Sequence, residues 1–140
     1  MSYSTMTRPT EAGILMATAE LWATRSTCSR LHVGAVISKS GRIVSSGYNG
    51  NAASLEHCVH TDDSPCTTAA HAEENAIVFA ARDLTGCTMW CTHAPCYTCS
   101  RMIINAGISD VVYELDYRST GGVDLLKQAN INVRKYSDIS

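Results

Sequence analysis

The sequence predicts an α/β domain whose mixed sheet is covered by helices on both faces. Three observations carry that expectation. Two β-branched runs form a hairpin near the start, further short strands alternate with helical segments, and the resulting order after an initial helix is β-β-α-β-α-β-α-β. Residues 1–140 read as one domain, a length that buries roughly 65–70% of the surface an unfolded chain exposes.

Residues 1–9 are polar and end at Pro9, which predicts a loose tail. "TEAGILMATAELWATRST" spaces Ile14, Leu15, Ala19, Leu21 and Trp22 at helical intervals, with Thr10 placed as N-cap. A helix from residue 10 to about residue 27 follows. Val33 to Ser38 and Arg42 to Tyr48 are the hairpin strands, joined by a Lys-Ser-Gly turn. Residues 51–68 are rich in His, Cys, Asp and Ser and have no period. A segment of that length is too long for a plain connector, so an ordered insertion held by something is expected. "AAHAEENAIVFAARDLTG" (69–86) reads as a core helix with Ile77, Ala80, Ala81 and Leu84 on its buried side. A strand from Cys87 to Thr92 comes next, and Pro95 opens a helix that Gly107 closes. "DVVYEL" is a strand, "GVDLLKQAN" a helix and "INVRKY" a last strand. There is no internal repeat or low-complexity tract.

Composition narrows the function classes. The chain is 45% hydrophobic and 17% charged, and no apolar run reaches the length of a membrane span. Net charge is -2 and the pI about 6.2, with basic residues scattered singly, which argues against a nucleic-acid partner. The start, "MSYSTMTRPTEAG", lacks a basic stretch followed by an apolar one, so a cytoplasmic location is expected, in a bacterium or a phage-infected host. In that reducing setting seven cysteines, an odd count, favour metal ligation over disulfides for those that cluster.

The most specific signal is His71-Ala72-Glu73 followed by Pro95-Cys96-Tyr97-Thr98-Cys99. H-x-E with P-C-x-x-C is the signature of zinc deaminases, and the residue chemistry agrees with it. Cys96 and Cys99 share one helical face at a helix N-terminus, where free N–H groups and the helix dipole favour thiolates. His71 adds a neutral imidazole. Three protein ligands leave the fourth tetrahedral position to water, as in a catalytic zinc site, and zinc lowers the pKa of such a water to about 7. Glu73 can sit beside the metal without binding it, take the water's proton and pass it to a ring nitrogen and then to departing ammonia. The competing reading is a structural Cys2His site with a fourth ligand elsewhere and Glu73 as a solvated acid. Pro95 and the two helix starts favour the open site. Glu74 reads as a first-turn acid favoured by the dipole.

From about Arg8 to Tyr136 the chain resembles the cytidine deaminase superfamily, and within it the deoxycytidylate (dCMP) deaminases. The residues that carry the resemblance are "STCSRLHVGAVI" (26–37), "SGYNG" (46–50), "HAEENAI" (71–77) and "APCYTCSRMIINAGI" (94–108). "VYELDYRST" (112–120) is similar to that branch's segment near the phosphate. The resemblance implies a three-layer α/β/α sandwich with a five-stranded mixed sheet, and hydrolysis of dCMP to dUMP and ammonia. It also implies a homo-oligomer, a hexamer being expected, with dCTP as activator, dTTP as inhibitor and Mg2+ accompanying the triphosphate. Asn49 would hydrogen-bond the nucleoside, although a turn asparagine in left-handed geometry explains it equally well. The backbone of Ala72 and of Thr92 to Ala94 would read the cytosine edge.

Cys28 sits just before the hairpin, and the insertion holds His57, Cys58, His60 and Cys66. In the branch that this chain resembles, similarly placed residues often bind a second, structural zinc. Cys28, Cys58 and Cys66 with either His57 or His60 would complete such a site and order the insertion. The alternative is a buried thiol at Cys28 plus solvated loop residues. Cys87 and Cys91 read as small core residues, His93 as a packing or substrate-shaping residue, and His32 as a partly exposed one. For a 5′-phosphate the candidates are Arg30 and Arg118, with a hydroxyl from Tyr117 and Arg25 in the same set; an exposed arginine is otherwise simply solvated.

Three functions compete. A mononucleotide deaminase fits the size, acidity and insertion. A deaminase of another cytosine compound or of nucleic acid is the second; for nucleic acid it needs a basic groove and stacking aromatics, against which the 6% aromatic content counts. A non-enzymatic zinc module is the third, and the open coordination position beside Glu73 counts against it.

Overall fold

The computed structural model describes residues 7–56, 68–117 and 119–140. The elements in chain order are α1 (Glu11–Ala23), β1 (Gly34–Lys39), β2 (Arg42–Tyr48), β3 (Gly50–Asn51), β4 (Ala69–Ala70) and α2 (Ala72–Ala80). They continue with β5 (Thr88–His93), α3 (Tyr97–Asn105), β6 (Asp110–Leu115), α4 (Gly121–Gln128), β7 (Asn132–Lys135) and a 3-10 turn at Tyr136–Asp138. The main sheet runs β2-β1-β5-β6-β7, and β3 pairs with β4 separately. β1 is antiparallel to β2 and β5, whereas β5, β6 and β7 are mutually parallel. This is the expected five-stranded mixed sheet.

Side chains alternate across it with the period of a strand. Ala35, Ile37, Met89, Cys91 and Val111 pack in one cluster with Ala72 and Ala76 of α2, Ile103 of α3 and Leu126 of α4. Val36, Trp90 and Val112, each one residue along from members of that set, pack on Leu15, Met16 and Ala19 of α1. The sandwich therefore has one helix on one face and three on the other.

Local chemistry sets the helix ends. Thr10 Oγ1 accepts the N–H of Gly13 at 3.0 Å, capping α1 as expected. The helix stops at Ala23, short of residue 27, because hydroxyls in "TRST" are spent elsewhere: Thr24 donates to the Leu21 carbonyl and Ser26 to the Asn49 carbonyl. α2 ends at Ala80, with Ala81 in the left-handed region at φ 53°. Asp83 Oδ1 accepts both the N–H and the hydroxyl of Thr85, a side-chain turn that replaces the last helical turns predicted through residue 86. Leu84 is buried from this loop, and Ala81 is exposed rather than on the buried side. Gly107, at φ 82°, follows the C-cap of α3 as predicted.

Two close approaches position the site. A Cβ on Gly47 of β2 would lie 2.7 Å from the Ala76 nitrogen and closer still to the Ala72 carbonyl, so α2 lies directly on the strand. A Cβ on Gly122 would overlap the Pro95 carbonyl and lie 2.7 Å from the Cys96 carbonyl carbon, so the start of α4 presses on the start of α3. At the base of the insertion, Gly50 pairs with Ala70 and Asn51 with Ala69, and Thr68 Oγ1 donates to Asn51 Oδ1 at 2.8 Å. Among the described residues no helix is long and apolar enough to cross a membrane.

Candidate active site

His71 and Cys96 are the N-caps of α2 and α3, both with extended backbone. The N–H of His71 donates to Glu74 Oε1 at 3.2 Å, so the acid read only as a first-turn charge also ties down the residue before the helix. Cys96 Sγ accepts the N–H of Cys99 at 3.4 Å. With both helix starts pressed together, His71 Nδ1 lies 3.1 Å from Cys99 Sγ and 3.4 Å from Cys96 Sγ. All three donor atoms fall within 4.8 Å of one another, the one such group of three among the described residues.

The group fits zinc. Tetrahedral bonds of about 2.3 Å to sulfur and about 2.0–2.1 Å to nitrogen space the donors by roughly 3.5–3.8 Å, a few tenths of an ångström beyond the separations present. The donors also share protons as a cation site does. Hydrogen bonding from Cys99, joined by His71, holds Cys96 down at about 4. Cys96 in turn holds His71 up at about 9. The bond to Cys96, with burial, pushes the Cys99 thiol far up. Beside them, Glu73 is 4% exposed, and burial raises its carboxyl to about 7. Cys91, fully buried as expected, is pushed up by burial and by the nearby charge of Glu73.

Glu73 and His71 open onto a cavity whose wall includes Arg30, Asn49, Ala72, Ala94 and Tyr117, five of the residues singled out for substrate. Thr92 stands behind the wall: its hydroxyl oxygen accepts the Gly34 N–H at 3.1 Å and lies 2.9 Å from His93 Nδ1. Arg118, His57, Cys58, His60 and Cys66 lie outside the described residues. Cys28 is buried. Arg25 stands over the Tyr48 ring at 5.9 Å, and that ring stacks on Trp22.

Asn49 does not use left-handed geometry; among the described residues the non-glycine ones with positive φ are Ser40, Ser54, Ala81 and Asn130. Its Oδ1 accepts the Val33 N–H at 2.8 Å and its Nδ2 donates to the Leu31 carbonyl at 2.7 Å, leaving one amide hydrogen. Ala94 spends its N–H on the Leu115 carbonyl, and among the described residues no backbone N–H donates to its own carbonyl. Ala72, first in α2, has an N–H with no acceptor inside the helix. The side chains of Leu31 and Val33 complete the wall, a role that a run entering a strand does not advertise.

At the helix starts of a mixed α/β sandwich, His71, Cys96 and Cys99 are a zinc-type set of three donors among the described residues, with a buried acid beside it. The family model for the cytidine and deoxycytidylate deaminase zinc-binding region matches residues 9–115. The chain is 38% identical over 143 residues to a deoxycytidylate deaminase of Saccharomyces cerevisiae, covering 93% of this chain and 46% of that protein. With the deoxycytidylate deaminase of Mycobacterium phage D29 it shares 36% identity, over 77% of this chain and 97% of that one. The structure of dCMP deaminase from the cyanophage S-TIM5 in complex with dCMP and dUMP superimposes with a TM-score of 0.85 at 37% identity, covering 93% of this chain and 99% of that one. The chain belongs to the cytidine and deoxycytidylate deaminase family.

Proposed function

We propose that this protein hydrolyses dCMP to dUMP and ammonia. The observation that carries the reading is the buried carboxyl of Glu73, held in one cavity wall with the His71, Cys96 and Cys99 donors. The likeness to the cyanophage enzyme, whose structure holds dCMP and dUMP, supports the substrate.

Zinc held by His71, Cys96 and Cys99 would supply Lewis acidity toward the attacking water. Glu73, poised near neutrality by burial, accepts a proton from the attacking water. As the water oxygen bonds to C4 the carboxyl gives that proton to the pyrimidine N3; it then takes the proton of the new C4 hydroxyl and delivers it to the 4-amino group as the C4–N4 bond breaks and the C4 carbonyl forms. One water is consumed and one ammonia released, so the carboxylate is regenerated. In this reading the Ala94 carbonyl would accept from the 4-amino group, the Ala72 N–H would donate to the 2-oxo group, and the remaining amide hydrogen of Asn49 would donate to the sugar. Arg30 and Tyr117, with Arg118, are the proposed phosphate contacts.

The finer points are part of the same proposal. Exposed Val78 and Phe79 on α2, 65% and 74% accessible, support a homo-oligomer, read as a hexamer. Regulation by dCTP with Mg2+ and by dTTP is assigned on resemblance, as is a second zinc on Cys28, Cys58, Cys66 and His57 or His60. Two zinc ions per chain, falling to one in Cys58→Ser, is the expected metal content for that second site.

Loss of absorbance at the cytosine band tests the function with dCMP, deoxycytidine and a cytosine-containing oligonucleotide, each with and without dCTP. Preferential turnover of dCMP is expected. Turnover of dCMP no better than that of deoxycytidine overturns the substrate assignment.

A further inference from the structure

Thr92 and His93 form a hydrogen-bonded pair that takes no part in the proton transfers of Glu73. Thr92 is buried, and its hydroxyl oxygen already accepts the Gly34 N–H. Two arrangements of the remaining proton are open: Thr92 donates to His93 Nδ1 at 2.9 Å, or Nδ1–H donates to Thr92. The second leaves the buried hydroxyl hydrogen without an acceptor among the described residues, a larger cost than any difference between the two imidazole tautomers. Donation by Thr92 therefore wins and puts the ring proton of neutral His93 on Nε2. Burial lowers the His93 pKa, which keeps the ring neutral.

His93 lines the same cavity as Arg30 and Tyr117. It pairs in register with Leu115 on β6, two residues before Tyr117, so imidazole and phenol stand at the same end of the sheet. With Nδ1 engaged, the ring has no lone pair to offer and cannot accept from the 4-amino group. It can only donate. A wall combining a guanidinium, a phenol and an imidazole N–H suits an anion.

We infer that His93 is a substrate-binding residue whose Nε2–H donates to the 5′-phosphate of the nucleotide, with Thr92 as the positioning residue that fixes its tautomer. The inference rests on the cavity being a nucleotide site.

The test uses the zinc-loaded enzyme and compares binding of dUMP with that of deoxyuridine. His93→Ala raises the Kd for dUMP about tenfold, the scale of one hydrogen bond to a charged group, while the Kd for deoxyuridine moves less than about twofold. His93→Gln, which keeps an N–H donor, recovers most of the dUMP affinity. Nitrogen-15 NMR of the wild-type ring shows Nε2 protonated and Nδ1 bare, and Thr92→Val mixes the two tautomers. Protonation at Nδ1 in the wild type, unchanged dUMP binding in His93→Ala, or equal losses for dUMP and deoxyuridine overturns the assignment. Wild-type enzyme that neither binds dUMP nor turns over dCMP overturns the nucleotide reading itself, which separates the two failures.

Discussion

Nδ1 of His71 lies 3.1 Å from Sγ of Cys99 although 28 residues separate them in the chain, and each is held protonated chiefly by its hydrogen bond to Cys96. His71 stays protonated up to about 9 and Cys99 keeps its thiol, while Cys96, at about 4, is already a thiolate near neutrality. Zinc takes neutral imidazole and thiolates. Zinc entry into stripped protein near pH 7 is therefore expected to release about two protons, and about one once the pH exceeds about 9. Calorimetric titration in buffers of different ionisation heat measures this, and release of no protons near neutral pH contradicts the scheme.

Gly47 leaves no room for a side chain against the first turn of α2. Gly47→Ala must push that turn away, at a cost of about 1–3 kcal/mol for overpacking, and His71 moves with it. A lower Tm together with weaker zinc retention is expected. An unchanged Tm and unchanged zinc content would show that α2 has slack.

Ser100 is fully buried on α3 and its Oγ has no hydrogen-bond partner among the described residues. Ser100→Ala removes the stranded hydroxyl and only one heavy atom of packing, so stability should rise by about 1 kcal/mol. Chemical denaturation reads it; a loss of stability would mean that the hydroxyl is satisfied in solution.

Glu114 on β6 has its carboxyl raised to about 7, by burial first and then by the hydrogen bond and charge of Glu20 on α1. A carboxyl whose folded pKa lies above its unfolded value favours the fold while protonated and loses that contribution as pH climbs through the folded value. Glu114→Gln should therefore raise Tm relative to wild type at about pH 8 and not at about pH 4. Equal differences at both pH values would contradict the pairing.

The chemistry was legible because it is local. H-x-E and P-C-x-x-C fix their donors within one helical turn each, and the β-branched runs mark β1, β2 and β6. What decided the rest was tertiary. The apolar spacing of α2 continues to Leu84, but the Asp83–Thr85 turn outcompetes another helical turn. Glu73 and Glu74 look alike in sequence; one is 4% exposed and faces the cavity, the other reaches back to the His71 N–H. Asn49 reads in sequence almost equally as a nucleoside contact or a turn residue, and its clamp on Leu31 and Val33 depends on partners 18 and 16 residues away. Ser26 belonged to a helical pattern, yet its hydroxyl went to the Asn49 carbonyl.

The central claim is that Glu73 moves protons beside a metal it does not hold. Turnover of dCMP and zinc content measured on the same preparation of Glu73→Ala test it most directly. Turnover should fall by about 10²–10⁴-fold or more, the range of general acid–base catalysis, with zinc retained at the wild-type level. Retained turnover, or zinc lost in proportion to activity, would contradict that role.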